Sequence, residues 1–448
     1  MKTKNLTISK NLIIILFFLI NLLFTNSFGN NYYQNDKDQN KNLNQDIKDT
    51  LNYFINLFYL YNPYIKNYEY LVNANIYNAK SFIYLKSFEY GISLSNIPYK
   101  YLLPNKNEPM TSYTLMYSII TPNKNKINTN INYTLKQNEI IQYEKLTYLL
   151  ISSYELKKNI INIYFLNNQK QILNNIKKDF FKLKDLTLID YTYNKSKLSD
   201  ILLIDKEIYS LETEINTLNT EINTNIQNLY SLVPINNLEN IIKNKLEGIN
   251  YNPSLNLDSL INTISTVNIR QYLYTNPFLL KIKKEKELLY YEIYKEKASP
   301  LSDNKLSIEY SIRPNLDHML MLKYSIMFED KNISINKIQA INQKINSIEY
   351  EYQNEFIKYQ ANYYYILSQL KLLKILLTNL ENEKQKQKQY IDSLLLEYTY
   401  NKSKILDIYL AYKQLLDIEL KENDLKKQLS HLIIELQLLK GEIEYEYQ

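Results

Sequence analysis

The apolar positions of this chain follow two periods, and the order of those periods occurs twice. Residues 191–206 read YTYNKSKLSDILLIDK, and residues 398–413 read YTYNKSKILDIYLAYK. About eleven of the sixteen positions match at one fixed offset, so the chain reads as two copies of one unit. In each copy a long stretch of helical period runs into Tyr-Thr-Tyr. A short polar knot follows, Asn194-Lys195-Ser196 or Asn401-Lys402-Ser403, and then a second helical stretch. The pattern predicts helix, tight turn, helix. Asn tolerates the left-handed backbone that ends a helix. Ser196 and Ser403 are expected to cap the next helix. Asp200 and Asp407 fall in its first turn, where the helix dipole favours a negative charge.

The second helix of each copy has coiled-coil spacing. In copy one the apolar series is Ile201, Ile204, Ile208, Leu211, Ile215, Leu218, Ile222, then Asn225, then Leu229 and Leu232. In copy two it is Ile408, Ala411, Leu415, Ile418, then Glu422, then Leu425, Leu429, Leu432, Leu436 and Leu439. Alternating steps of three and four predict left-handed supercoiling against a partner helix.

Before each knot lies a much longer helical stretch, about 130–190 in copy one, with no Pro and no Gly. Some sixty residues of helix span roughly 90 Å, which no compact domain needs. The shorter helices, about 46–80 and 197–232, stacked end to end, match that length. Each copy also opens on an Asn-Pro pair, Asn62-Pro63 and Asn276-Pro277, a signal for a turn or first helical turn.

Between the short and the long helix of each copy the period drops to two. Phe88, Tyr90, Ile92 and Leu94 alternate with Ser87, Glu89, Gly91 and Ser93. Tyr113, Leu115, Tyr117 and Ile119 alternate with Ser112, Thr114, Met116 and Ser118. This predicts a hairpin over about 84–120. A second is predicted over about 305–328, where Leu306, Ile308, Tyr310 and Ile312 and then Leu320, Leu322, Tyr324 and Ile326 form the apolar face. Glu309, Arg313 and Lys323 fall on its polar face, as Glu89 does in the first hairpin. Amphipathic strands of about ten residues match the length of a barrel strand crossing a membrane. The domain reading is therefore a first repeat over 46–233, a linking segment over 234–265 and a second repeat over 266–441.

Composition narrows the class. The chain has 448 residues, 45 of them Tyr and only four Gly, and a net charge of +6. Acids and bases are interspersed, with no basic stripe for nucleic acid. Residues 1–29 read as a secretory signal: Lys2, Lys4 and Lys10, an apolar run from Leu12 to Phe24, and small residues near Gly29. There is no cysteine, which excludes disulfides, thiolate metal sites and a cysteine nucleophile. Two isolated histidines, His318 and His431, make a poor metal site. With four glycines there is no phosphate loop. No catalytic constellation, metal or cofactor is expected. After the leader, no apolar run approaches the length of a membrane helix, so membrane insertion would have to use β-strands.

Taken together, the repeated Tyr-x-x-(turn)-x(5)-Asp-(Ile/Val)-Leu pattern after a very long helix, the paired Asn-Pro motifs and the hairpin in each copy resemble the TolC family of outer-membrane efflux proteins. The resemblance covers about 46–441. Asn194 and Asn401 stand where the family usually has Gly, and Leu410 stands where some members carry a second acidic residue. The resemblance implies a mainly α-helical chain with a small membrane β-barrel: an α-helical barrel in the periplasm plus a 12-stranded β-barrel in a homotrimer. The physics agrees, because four strands cannot close and open edges are not tolerated in lipid.

The resemblance further implies an outer-membrane channel of a tripartite efflux or type I secretion system. It would be a passive export duct gated at its periplasmic end. Expected partners are a periplasmic adaptor (membrane fusion) protein, an inner-membrane pump of RND or ABC type, and outer-membrane lipid. Asp407 and Asp200 match the family's gate acids. Asn194, Lys195, Asn401 and Lys402 fall at the adaptor-contacting tip, and Glu89, Glu309, Arg313 and Lys323 would face the lumen of the barrel. The competing class is a secreted or surface-attached coiled-coil protein or adhesin. It shares the leader and the heptads but does not account for two amphipathic hairpins at equivalent places.

Overall fold

The computed structural model describes residues 45–84, 87–95, 112–249, 251–254, 257–266, 268–313, 317–328, 330–400 and 403–441. The expected leader, the turn residues Asn401 and Lys402 and the loop between the first two strands lie outside them. The first repeat comprises α1 (Gln45–Tyr61), α2 (Pro63–Ser81), β1 (Ser87–Ser95), β2 (Ser112–Thr121), α3 (Lys124–Thr192) and α4 (Leu198–Leu232). Three short helices follow: α5 (Leu238–Leu246), α6 (Leu257–Thr266) and α7 (Ile269–Thr275). The second repeat comprises α8 (Pro277–Ala298), β3 (Asp303–Ile312), β4 (Met319–Met327), α9 (Lys331–Thr399) and α10 (Ile405–Lys440).

The two long helices each have 69 residues, about 100 Å of helix. Asn123 opens α3, with its side chain accepting from the Asn125 N–H at 2.9 Å. Asp330 opens α9 in the same way, accepting from the Asn332 N–H at 2.9 Å.

The Asn-Pro pairs splice shorter helices into rods that match these two. Asn62 is extended, its Oδ1 accepts from the Tyr64 N–H at 2.9 Å, and Pro63 takes the first position of α2. Its amide also donates to Leu232 O, the carbonyl end of α4, at 2.9 Å. Asn276 repeats the device: Oδ1 accepts from the Phe278 N–H and Nδ2 donates to Leu439 O at the end of α10, both at 2.9 Å. One side chain thus serves the orphan N–H groups of one helix and the orphan carbonyls of another. Both asparagines are buried, Asn62 at 2% and Asn276 at 0% exposure. Gly441 closes α10 with φ 73°, and a Cβ there would lie 2.8 Å from Pro277 Cδ. The close splice therefore requires glycine.

The rods and long helices lie side by side. The α2/α4 rod flanks α3, the α8/α10 rod flanks the other side of α3, and α9 lies beyond it. This explains a difference from the heptad reading. α10 packs on both α3 and α9, so Tyr409, Leu416, Ile433 and Ile434 are buried beside the expected seam. At the two polar positions the seam is satisfied locally. Asn225 accepts from Asn162 Nδ2 at 3.4 Å, and Glu422 pairs with Lys384 at 2.9 Å and Lys426 at 2.6 Å.

The short helices brace the middle of the rods. One core joins α1, α3, α4 and α5, and another joins α6, α7, α9 and α10. A buried tyrosine pins each: Tyr164 Oη accepts from the Tyr251 N–H at 2.9 Å, and Tyr363 Oη donates to Ile264 O at 2.6 Å. The hairpins pair with each other through β2 and β3. The result is one antiparallel sheet in the order β1-β2-β3-β4, with β1 and β4 at its edges. Its strands begin and end within a few residues of the alternating segments.

Two predictions follow from this packing. Asn276→Ala removes a cap and a buried carbonyl's donor together, a loss of roughly 2–4 kcal/mol. Thermal unfolding should show a clear fall, and Asn276→Asp, which keeps the cap but sets a buried carboxylate against Leu439 O, should fall at least as far. The second concerns His431 on α10, whose Nε2 has no hydrogen-bond partner. Burial, with Lys427 and Lys158 nearby, pushes its pKa from 6.5 down to about 4. The neutral ring therefore contributes stability that is full above pH 6.5 and lost as pH falls through 4. His431→Gln should flatten that part of the stability profile in acid denaturation.

Candidate functional site

The two ends of the rods carry the unusual chemistry. At one end is the sheet. Period-two alternation puts Phe88, Tyr90, Ile92 and Leu94 on one face with Tyr113, Leu115, Tyr117 and Ile119. Leu306, Ile308, Tyr310 and Ile312, and Leu320, Leu322, Tyr324 and Ile326, continue that face across β3 and β4. None of these positions is charged, and no described helix covers them: Tyr90 and Ile92 are each 80% exposed. Two phenols on this face find partners. Tyr324 Oη donates to Asn304 Oδ1 at 2.7 Å, and Tyr310 Oη bonds His318 Nδ1. An uncovered apolar face four strands wide is far larger than scattered surface hydrophobics and marks a contact surface.

The opposite face is polar. Small hydroxyls bridge the two repeats: Thr114 Oγ1 with Ser311 Oγ at 2.8 Å, and Ser118 Oγ to Ser307 Oγ at 2.9 Å. Glu309 meets Lys323 at 2.6 Å, and Glu89 pairs with Lys305. Arg313, just past β3, directs Nη2 to Met319 Sδ at 3.4 Å. The fold therefore brings Glu309 and Lys323 together. It also gives Glu89 a partner in the other repeat, Lys305 on β3.

At the far end are the turns. Asn194 has φ 60°, the left-handed conformation expected of it. The Lys195 N–H donates to Asp190 O at 2.8 Å, and the side chains of both turn residues are exposed. The cap differs from expectation. Ser196 Oγ donates back to Thr187 O, and Ser403 Oγ to Leu394 O, both at 2.9 Å. These serines close the turn onto the preceding helix. The capping falls to the acids. Asp200 accepts from the Lys197 N–H at 3.1 Å, and Asp407 accepts from the Lys404 N–H at 3.2 Å. The backbone answers in reverse, with the Asp200 and Asp407 N–H groups donating to Lys197 O and Lys404 O at 3.0 Å. Asp407 is exposed and Asp200 half-buried.

Near the turns the repeats are tied by links that no local pattern announces. Tyr398 Oη donates to Asp190 at 2.8 Å. Burial, with the hydrogen bond to that carboxylate and its charge, pushes the Tyr398 pKa up to about 12. Glu207 on α4 accepts from Tyr409 Oη at 3.2 Å and Lys413 Nζ at 3.1 Å, both on α10. Burial and then Glu207 raise the Tyr409 pKa, while the hydrogen bond to Glu207 raises that of Lys413. Sequence reasoning missed Asp190, Tyr398, Glu207, Tyr409 and Lys413. The one available signal is asymmetry: Glu397 stands where the first copy has Asp190, and Gln414 where it has Glu207.

Among the described residues no helix is long and apolar enough to cross a membrane. Among them, no group of His, Cys, Asp and Glu could hold a metal ion. No family model matches the sequence, and no curated protein matches it. Solved structures do. VceC, an outer membrane protein of Vibrio cholerae, aligns at 14% identity over 88% of this chain and 97% of its own, with TM-score 0.67. The CmeC outer membrane channel of Campylobacter jejuni aligns at 11% identity over 90% of this chain and 88% of its own, with TM-score 0.68. The MtrE outer membrane channel of Neisseria gonorrhoeae, in its open state, gives 10%, 88%, 89% and 0.66. The chain has the fold of TolC-type outer-membrane channels.

One prediction belongs to the inter-repeat link. Tyr398→Phe removes a hydrogen bond to a charged group, roughly 1.5–3 kcal/mol of local stability. Amide exchange near residues 190–200 should quicken while exchange around Tyr164 stays unchanged. Because the phenol's pKa is raised above 10, the link holds below pH 10 and is lost as pH rises through about 12.

Proposed function

We propose that this chain is the outer-membrane duct of a tripartite export assembly, working as a homotrimer and doing no chemistry itself. The observation that carries the reading is the sheet. Its strands have nine or ten residues, the length of a tilted membrane strand. Its uncovered face is apolar on all four strands and its other face is hydroxylated and ionic. Only lipid on one side and water on the other suits both faces.

Closure follows from the backbone. β1 and β4 each present an unpaired edge, which lipid does not tolerate. Pairing β4 of one chain with β1 of the next around a ring satisfies every edge. Three chains give twelve strands and a water-filled lumen. The same ring places α9 of one chain beside the α2/α4 rod of the next. Both carry exposed apolar side chains, among them Tyr350, Ile357, Tyr364 and Leu372 on α9 and Tyr64, Tyr70 and Tyr77 on α2. Rods of about 100 Å then form a periplasmic cylinder. The likeness to outer-membrane channels supports the same reading.

The tip is the proposed gate and docking end. Asn194, Lys195, Asn401 and Lys402 are the residues assigned to contact with a periplasmic adaptor, below which an RND or ABC pump would drive transport. In the trimer, Asp407 would form a ring that attracts cations. Asp200 is assigned a share of the same constriction. The links Tyr398–Asp190 and Glu207–Tyr409/Lys413 hold the two hairpins of one chain together, so opening would have to stretch or break them. The coiled-coil adhesin reading leaves the apolar sheet uncovered and is disfavoured on that ground.

The test is the mass of the protein extracted from the outer membrane in mild detergent, corrected for bound detergent. Three chains per particle are expected, with single-channel conductance whose cation preference falls in Asp407→Asn. A monomer that stays soluble without detergent would sink the reading.

A further inference from the structure

The polar face of the sheet is ionic, yet its carboxylates are matched. Glu309 on β3 pairs with Lys323 on β4 at 2.6 Å. Glu89 on β1 pairs with Lys305 on β3, across the intervening strand β2. In both pairs the strand register sets the lysine one level nearer the helices than its carboxylate: Glu89 lies level with Ser118 and Lys305 with Ile120, while Glu309 lies level with Met321 and Lys323 with Ser307. The longer pair has room to span β2 because Ser118 is small; Ser118 is 0% exposed and bonded sideways to Ser307. Nearest the helices, Asp303 is held by Lys126 at 2.9 Å and by the Asn123 N–H at 2.9 Å.

Arg313, just past β3 at the turn end of the sheet, pairs with no described carboxylate and lies against Met319 Sδ; the rest of this face is uncharged. It carries serine and threonine hydroxyls, Gly91, Ile120, and Met116, Met319, Met321 and Met327, the only methionines among the described residues. Half-exposed ion pairs add little to stability, so folding alone gives no reason to place four charges here in matched pairs. Their larger effect is on the field inside a narrow passage with low-dielectric walls, where unmatched charges of one sign select ions.

We propose that Lys305 and Lys323 set the ion preference of the barrel passage by compensating Glu89 and Glu309, so that this part of the duct scarcely distinguishes cations from anions. The proposal rests on the duct reading above. It makes the two lysines selectivity-determining residues and assigns any charge preference of the whole channel to its helical end. In a trimer, loss of both lysines would leave two rings of three carboxylates.

The experiment measures reversal potentials of the full-length protein in neutral-lipid planar bilayers under a KCl gradient. The parent carries Asp407→Asn and Asp200→Asn, which remove the acids assigned to the constriction, and Arg313→Gln, which removes the unmatched cation at the turn end of the sheet. Its potassium-to-chloride permeability ratio should lie close to unity. Adding Lys305→Gln and Lys323→Gln should raise that ratio several-fold. Adding Glu89→Gln and Glu309→Gln to those should return it toward unity, which also shows that the substituted barrel still folds. A parent already strongly selective, or lysine variants that leave its ratio unmoved, would overturn the proposal. So would conductance lost in the lysine variants alone, because the pairs would then be structural. Absence of conductance in every variant and in the wild type would instead bring down the duct reading, and this proposal with it.

Discussion

The architecture depends on one asparagine used twice. Asn62 and Asn276 each cap the helix they precede and hold the carbonyl end of a helix that lies far away in the chain. A helix end normally leaves polar groups that need water or a cap. Here two ends meet in the protein interior and satisfy each other through a single amide. That junction turns short helices into rods comparable in length with the unbroken α3 and α9. Without it, the middle of each rod would hold bare backbone against an apolar core, at a cost far above that of a surface loop.

Rods of matched length impose what happens at their ends. The chain leaves α2 and re-enters at α3 on one side of the hairpin, and leaves α8 and re-enters at α9 on the other. Both hairpins therefore emerge at the same end and pair through β2 and β3. Once joined, they form a sheet with one apolar and one polar face, because period-two alternation runs in phase on all four strands. The opposite ends carry two turns of nearly identical sequence. There the acids Asp200 and Asp407 do a structural task, capping α4 and α10. A neutral substitution at either position removes a cap as well as a charge, and asparagine is the appropriate replacement because it retains the acceptor.

The likeness to solved outer-membrane channels extends over most of the chain at 14% identity or below in the structures compared. Such a fold survives sequence change because its requirements are patterns: helical period, strand alternation, a splice and a turn. Tyrosine, isoleucine and asparagine fill these patterns here, with four glycines in the whole chain. Left-handed backbone at the first turn is met by Asn194, and glycine is kept at Gly441, where a Cβ would strike Pro277.

Local periodicity is written in a short window of residues, and it was legible. The duplication, the unbroken long helices, both hairpins with their faces, the paired Asn-Pro signals and the left-handed Asn194 all follow from residues near one another in the chain. What those residues would touch was not legible. That Ser196 and Ser403 turn back to the preceding helix, rather than capping the next one, is decided by how tightly the turn closes. The burial of α10 on two sides depends on its place between α3 and α9. The links from Asp190 to Tyr398 and from Glu207 to Tyr409 and Lys413 join residues more than two hundred positions apart, as does the pairing of Glu89 with Lys305. A partner at that distance is chosen by the register of rods and strands. Only the tertiary structure fixes that register, because the same local pattern is compatible with many.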